Sequence, residues 1–155
     1  MDENINNVVV IIAEDDDGHA ALIKKNLKRG GISNETMRFK NGEEVLDFLF
    51  KKGKGDQMQS GFSYLLLLDM RIPKVDGMEV LRQVKNDEVL RKMPVIMLTT
   101  TDDPTEINKC HEIGCNSYVV KPINYNDFIH VIQQLGIYIK IVKVPPMDEE
   151  QEVED

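Results

Sequence analysis

Several side chains able to do chemistry stand directly after apolar runs in this chain of 155 residues. Glu14 and Asp15 follow a β-branched run over 8–13, and Asp69 follows the apolar run 64–68. Thr99 follows 94–98 and Lys121 follows 117–120. Each alone has an ordinary reading, as the first polar residue of a loop or the cap of the next helix. Together they describe a site. Carboxylates gathered in one crevice repel one another and call for a cation. An all-oxygen donor set with room for water suits Mg²⁺. On this reading Asp15 holds the metal directly and Glu14 holds it through water. Asp69, at the end of the central run, is the nucleophile. Thr99 offers a hydroxyl and Lys121 a positive charge, so metal, hydroxyl and ammonium can surround three phosphoryl oxygens. Phosphoryl transfer asks mainly for such positioning and charge neutralisation. No Ser-His pair at these positions and no Walker-type Gly-rich loop point to other chemistry.

Those five residues meet only if the runs that carry them lie side by side. The run 64–68 is continuously apolar and bounded by turn signals, as a strand buried on both faces should be. The run 8–13 reads the same way. Residues 36–39 alternate and suit an edge. Between the runs, apolar residues recur at helical spacing behind helix-start signals: Asn41 with Glu44, Asp76 with Glu79, and Asp103 followed by Pro104. The pattern is βα repeated five times, which implies a parallel sheet covered by helices on both faces. The expected fold class is therefore α/β, a doubly wound five-stranded parallel sheet in the order 2-1-3-4-5. Its ligand crevice lies at the carboxyl ends of strands 1 and 3.

Composition narrows the function classes. The chain is 41% hydrophobic and 30% charged, with a net charge of −8 that argues against nucleic-acid binding by electrostatics. Residues 148–155 hold six acidic groups and no basic one, so the rest is close to balance. The acidic start Met1-Asp2-Glu3-Asn4 and the lack of a long apolar stretch argue against a secretory signal and a membrane span. Cys110 and Cys115 lack the further partners of a zinc set and read as packing residues. Free thiols and no signal peptide point to the cytoplasm. His19, His111 and His130 read as surface or helix residues, and Asp16 and Asp17 as a solvated helix start. The expected organisation is a flexible N-terminus at 1–7, one domain with a C-terminal extension at 8–144, and a disordered acidic tail at 145–155. Residues 51–63 read as a long exposed connection. After Gly136, residues 137–144 fit either a helical extension or a strand.

The motifs resemble the response-regulator receiver domains of two-component signalling over about residues 8–135. The resemblance rests on Glu14-Asp15, the Leu run ending on Asp69 with Pro73 and Asp76-Gly77, Thr99 after Pro-Val-Ile-Met-Leu, and Tyr118-Val-Val-Lys121-Pro122. It implies the flavodoxin-like receiver fold and phosphoryl transfer from a histidine kinase's phosphohistidine to Asp69. Mg²⁺ would be held by Asp15, Asp69 and the backbone carbonyl of Arg71, with Glu14 completing the acidic set. Thr99 and Lys121 would bind phosphoryl oxygens, and Thr99 with Tyr118 would form the switch. Pro122 would be structural, after a cis Lys121–Pro122 bond. The implied partners are a sensor histidine kinase or phosphotransfer protein. A second copy is a further implied partner, through the face of the fourth helix, fifth strand and fifth helix or through the C-terminal extension. With few residues after the domain, output is expected through protein contacts. The long connection and the extension are similar to receivers serving cyanobacterial-type phytochrome kinases. Arg71, Thr100 and Thr101 depart from common family residues around the phosphoryl position. The competing reading is a phosphorylation-independent binding module with the same fold. An aspartate-nucleophile phosphatase would need an Asp two residues after the nucleophile, where Arg71 stands.

Overall fold

The computed structural model describes residues 8–146. The expected flexible N-terminus and nearly all of the expected acidic tail lie outside those residues. Five parallel strands, β1 (Val8–Ala13), β2 (Thr36–Phe39), β3 (Ser63–Leu68), β4 (Val95–Thr99) and β5 (Ser117–Val120), form one sheet in the order β2-β1-β3-β4-β5. Helices α1 (Asp17–Arg29), α2 (Gly42–Leu49), α3 (Gly77–Asn86), α4 (Pro104–Ile113) and α5 (Tyr125–Ile141) connect and follow them, with a short 3₁₀ turn at Leu90–Lys92. This is the doubly wound α/β architecture, strand order 2-1-3-4-5, that the sequence pattern calls for.

Two-residue alternation sorts the central strands between two cores. Val9, Ile11, Ala13, Leu66 and Leu68 pack on one face with side chains of α2 and α3. Val10, Ile12, Leu65 and Leu67 pack on the other with α1 and α5. Burial on both faces is why β1 and β3 read as unbroken apolar runs. The edge strand β2, by contrast, is only half-buried throughout.

Side-chain caps start the helices where the sequence marks them. Asp16, Asn41, Asp76, Asp103 and Asn124 each accept a hydrogen bond from a backbone N–H of the first turn, and Pro104 fills the first helical position of α4. Gly136 is a contact residue rather than a stop. A side chain there would crowd the Leu27 carbonyl at 3.2 Å, and one at Gly30 would meet the Gln133 carbonyl at 2.6 Å. These two glycines let α1 and α5 approach closely, and α5 runs on to Ile141. The extension is thus helical, and it then turns back so that Val144 is buried and Pro146 bridges Ser63. The connection 51–63 is mostly exposed, as expected, but Met58 is buried and its N–H bonds the Phe48 carbonyl at 3.2 Å.

One expectation is overturned. No described peptide bond is cis, so Lys121–Pro122 is trans. The trans isomer is intrinsically favoured by about 0.5–1 kcal/mol, and Lys121 holds its place through its own N–H, bonded to the Thr99 carbonyl at 2.7 Å.

Candidate functional site

Sheet register decides what meets at the carboxyl edge. Ala13 is paired with Leu68, so Glu14 and Asp69 emerge side by side, and the Asp69 N–H bonds the Ala13 carbonyl at 3.1 Å. Thr99 is paired with Val120, which brings Lys121 up beside the same edge. Glu14, Asp69, Thr99 and Lys121 are all buried, whereas Asp15 is exposed.

The Lys121 ammonium spans the carboxylates. Its Nζ donates to Asp69 Oδ2 at 2.8 Å and to Glu14 Oε1 in a very short contact. Burial alone would depress this lysine, but the hydrogen bonds and charges of Asp69 and Glu14 outweigh it and raise its pKa above the usual lysine value. At Glu14 burial is the largest influence and pushes its carboxyl above the ordinary range, although Lys121 pulls the other way. The second Asp69 oxygen, Oδ1, accepts the Arg71 N–H at 3.2 Å. One oxygen from each of Glu14, Asp15 and Asp69 can be chosen so that all lie within 4.8 Å of one another. Three carboxylate oxygens that close, one of them exposed, match the hard, partly hydrated donor set that Mg²⁺ takes.

Thr99 is fully buried, and its Oγ1 has no hydrogen-bond partner. Such a group costs about 1–3 kcal/mol relative to a satisfied one. Tyr118 hydrogen-bonds through its hydroxyl to the Thr101 carbonyl at 2.6 Å, which ties β5 to the segment after Thr99. Pro122 lines a cavity of about 130 Å³ with His19, Leu22, Thr100, Lys121, Ile123, Tyr125 and Phe128.

The structure therefore assembles Glu14, Asp15, Asp69, Thr99 and Lys121 as the sequence demands, with Arg71 and Tyr118 at its margin. Asp16 caps α1, and Asp17 pairs with Arg38 at 2.7 Å, so both stay outside the cluster. His19, read from the sequence as a surface residue, is half-exposed but stands beside the cluster. Its Nδ1 lies 3.5 Å from Lys121 Nζ and 3.8 Å from Glu14 Oε1, and its ring packs against Phe128. Its place one turn into the helix after the acidic pair was the available signal.

The loop after Asp69 is held by close backbone approach at Gly77. A Cβ there would sit 2.2 Å from the Asp69 carbonyl and 2.8 Å from Met70 Cα. Gly77→Ala is therefore expected to push the Asp69–Met70 backbone aside and cost about 1–3 kcal/mol, measured as a lower urea midpoint.

Comparison with known proteins gives a consistent set. The family model for the response regulator receiver domain matches residues 10–133. The response regulator Rcp1 of Synechocystis is 29% identical over 145 residues, covering 93% of this chain and 97% of Rcp1. Its Mn²⁺-bound crystal structure superposes with a TM-score of 0.78 at 27% identity, over 88% of this chain and 98% of that one. A receiver domain from Rhodospirillum rubrum superposes with a TM-score of 0.83 at 41% identity, covering 88% of this chain and 96% of that one. The bacteriophytochrome response regulator RtBRR is 32% identical with a TM-score of 0.68, over 85% of this chain and 78% of that one.

Proposed function

The chain belongs to the response regulator receiver family of two-component signalling, and from that premise we propose that it is a phosphorylation switch whose acceptor is Asp69. The observation that carries this reading is the Lys121 bridge. An ammonium buried between Glu14 and Asp69 presents a fixed positive charge where a phosphoryl group on Asp69 would place its oxygens. A carboxylate oxygen of Asp69 forms the new bond to phosphorus. The bond from phosphorus to a kinase imidazole nitrogen breaks, and its electron pair stays on the ring. Asp15, Asp69, the Arg71 carbonyl and, through water, Glu14 are the groups we assign to Mg²⁺. When bound, that ion neutralises charge on the phosphoryl oxygens. Lys121 balances the charge gained by Asp69, and Thr99 supplies a hydroxyl donor.

Thr99 is a group whose polarity serves function at the expense of the fold. Thr99→Val is therefore expected to leave urea stability unchanged or raise it by up to about 1 kcal/mol. The same change is expected to slow adduct formation from acetyl phosphate by about 10²-fold, as loss of one preorganised donor does. Stopped-flow or quench sampling with intact-mass detection reads the rate.

The donor is a sensor histidine kinase or phosphotransfer protein. Ile123 is fully exposed and Tyr125 largely so, at the rim of the cavity beside Lys121, which supports a protein seated over the site. The resemblance to RtBRR favours a phytochrome-type kinase. Output runs through the Thr99–Tyr118 pair to α4, β5 and α5. Ile137, Tyr138 and Ile141 are exposed on the end of α5 and favour a second copy or a partner at this extension. Residues 8–144 act as the domain with its extension, and a run of acidic residues follows them in the sequence. Among the described residues no helix is long and apolar enough to cross a membrane, and we place the protein in the cytoplasm.

The test is intact-mass analysis after incubation with acetyl phosphate, with Mg²⁺ or with chelator. One phosphoryl adduct, mapped to Asp69 and formed only with Mg²⁺, is the expected result. Failure to form it, together with failure to bind beryllofluoride, would turn the reading to a phosphorylation-independent binding module.

A further inference from the structure

Arg71 joins the acceptor loop to α4 through one ion pair. Its backbone N–H is bonded to Asp69 Oδ1, and its guanidinium Nη2 lies 3.0 Å from Glu106 Oε1 in the first turn of α4. The two ends of this contact differ in exposure. The Arg71 side chain is 68% exposed and that of Glu106 only 25%. Glu106 Oε2 is buried with no hydrogen-bond partner. The guanidinium is thus the side-chain hydrogen-bond donor that this carboxylate has among the described residues.

The charge of Glu106 also reaches the aromatic residue of the switch pair. Burial chiefly pushes the Tyr118 hydroxyl up to about 12, and the negative charges of Glu106 and Asp69 are among the smaller contributions. One carboxylate therefore faces the acceptor loop through Arg71 and influences Tyr118 from α4.

An acyl phosphate carries about −1.5 to −2 charges in place of the carboxylate's single charge, together with three strong acceptor oxygens. Placed on Asp69, it sits two residues from an exposed guanidinium of a kind suited to gripping phosphate. We propose that Arg71 is a positioning residue that exchanges partners, holding Glu106 of α4 in the resting protein and turning to the phosphoryl group once Asp69 is modified. The inference rests on Asp69 being the acceptor. Its consequence follows from Glu106. Without Arg71, Glu106 loses its charged partner while its Oε2 stays buried with no hydrogen-bond partner, and a buried acceptor without a partner is unfavourable. The first turn of α4 then gains a reason to move toward solvent, away from Tyr118. A half-exposed, screened pair is weak enough for this exchange.

Beryllofluoride with Mg²⁺, titrated by amide NMR shifts, is the probe, on wild type, Glu106→Gln, Arg71→Ala and the double variant. Glu106→Gln frees the guanidinium and is expected to tighten binding about two- to fivefold, the range that such an ion pair supports. Arg71→Ala is expected to weaken it about tenfold, the loss of one charge-assisted hydrogen bond. In the Arg71→Ala background the gain from Glu106→Gln is expected to vanish, and Glu106→Asp with Arg71 present, which keeps the carboxylate, is expected to bind as tightly as wild type. A merely structural role for Glu106 predicts the same effect in both backgrounds, and that result, or no effect of Glu106→Gln, overturns the exchange. Wild type that binds no beryllofluoride overturns the acceptor reading itself, and the exchange with it.

Discussion

Asp69→Asn is expected to abolish the phosphoryl adduct completely while leaving the domain folded. The chemical half of this expectation is simple. An amide has no anionic oxygen with which to attack phosphorus, and its neutral side chain is a poorer ligand for Mg²⁺. The structural half follows from the contacts. Asp69 gives up one charged partner of Lys121, but Glu14 still accepts from the same ammonium. Its Oδ1 position remains an oxygen able to accept the Arg71 N–H. Loss of the Asp69 charge also removes one of the influences that raise the Glu14 carboxyl. These effects oppose one another, so urea stability without Mg²⁺ is expected within about 1 kcal/mol of wild type. The stabilisation that Mg²⁺ gives the wild type, read as a shift in Tm, should shrink sharply in the variant. An adduct on Asp69→Asn at wild-type yield would place the acceptor elsewhere.

The fold was legible because nearly every element carries its own local signal. Asp76 and Asp103 mark helix starts by side-chain chemistry, and the unbroken run before Asp69 marks a doubly buried strand. The site was legible for a related reason. A parallel sheet sends every strand end to one edge, so polar residues terminating separate strands must converge there. What escaped the sequence depends on distances between helices or on tertiary hydrogen bonds. Gly136 leaves the sequence reading open between a helical extension and a strand, and only its approach to Leu27 and Gly30 shows why a glycine belongs inside a helix. His19 reads as a surface residue of α1, because nothing in its neighbourhood announces Lys121, which arrives from β5. The Arg71–Glu106 pair joins residues 35 positions apart, one in the loop after β3 and one in the first turn of α4, beyond any local pattern. The isomer of the Lys121–Pro122 bond was expected from family resemblance alone, with no residue signal behind it, and that expectation was the one overturned.

Lys121→Met is expected to be the most damaging single change to the folded state of the site. Glu14 and Lys121 side chains are each only 3% exposed, and Asp69 is 11% exposed. Methionine fills comparable volume but leaves two buried carboxylates facing one another without a cation. Removing one partner of a buried pair costs about 3–5 kcal/mol, so a drop of that order in urea stability is expected at neutral pH without Mg²⁺. The pH dependence has a definite sign. In the wild type Lys121 has a raised pKa, so its stabilising contribution persists through neutral pH and is lost only as pH climbs past that value. In the variant Glu14, already pushed up by burial, loses the ammonium that pulled it down. An acid with a raised folded pKa destabilises above that pKa, and the penalty disappears as pH falls below its unfolded value. The deficit of Lys121→Met should therefore be largest near neutrality and shrink on acidification. Mg²⁺ should recover part of it, because a divalent cation relieves the same carboxylate repulsion. Phosphorylation should not recover in parallel, since the fixed charge beside the phosphoryl oxygens is gone. Urea titrations from mildly acidic to neutral pH, with and without Mg²⁺, separate these effects. A deficit independent of both pH and Mg²⁺ would mean that the lysine acts through packing alone.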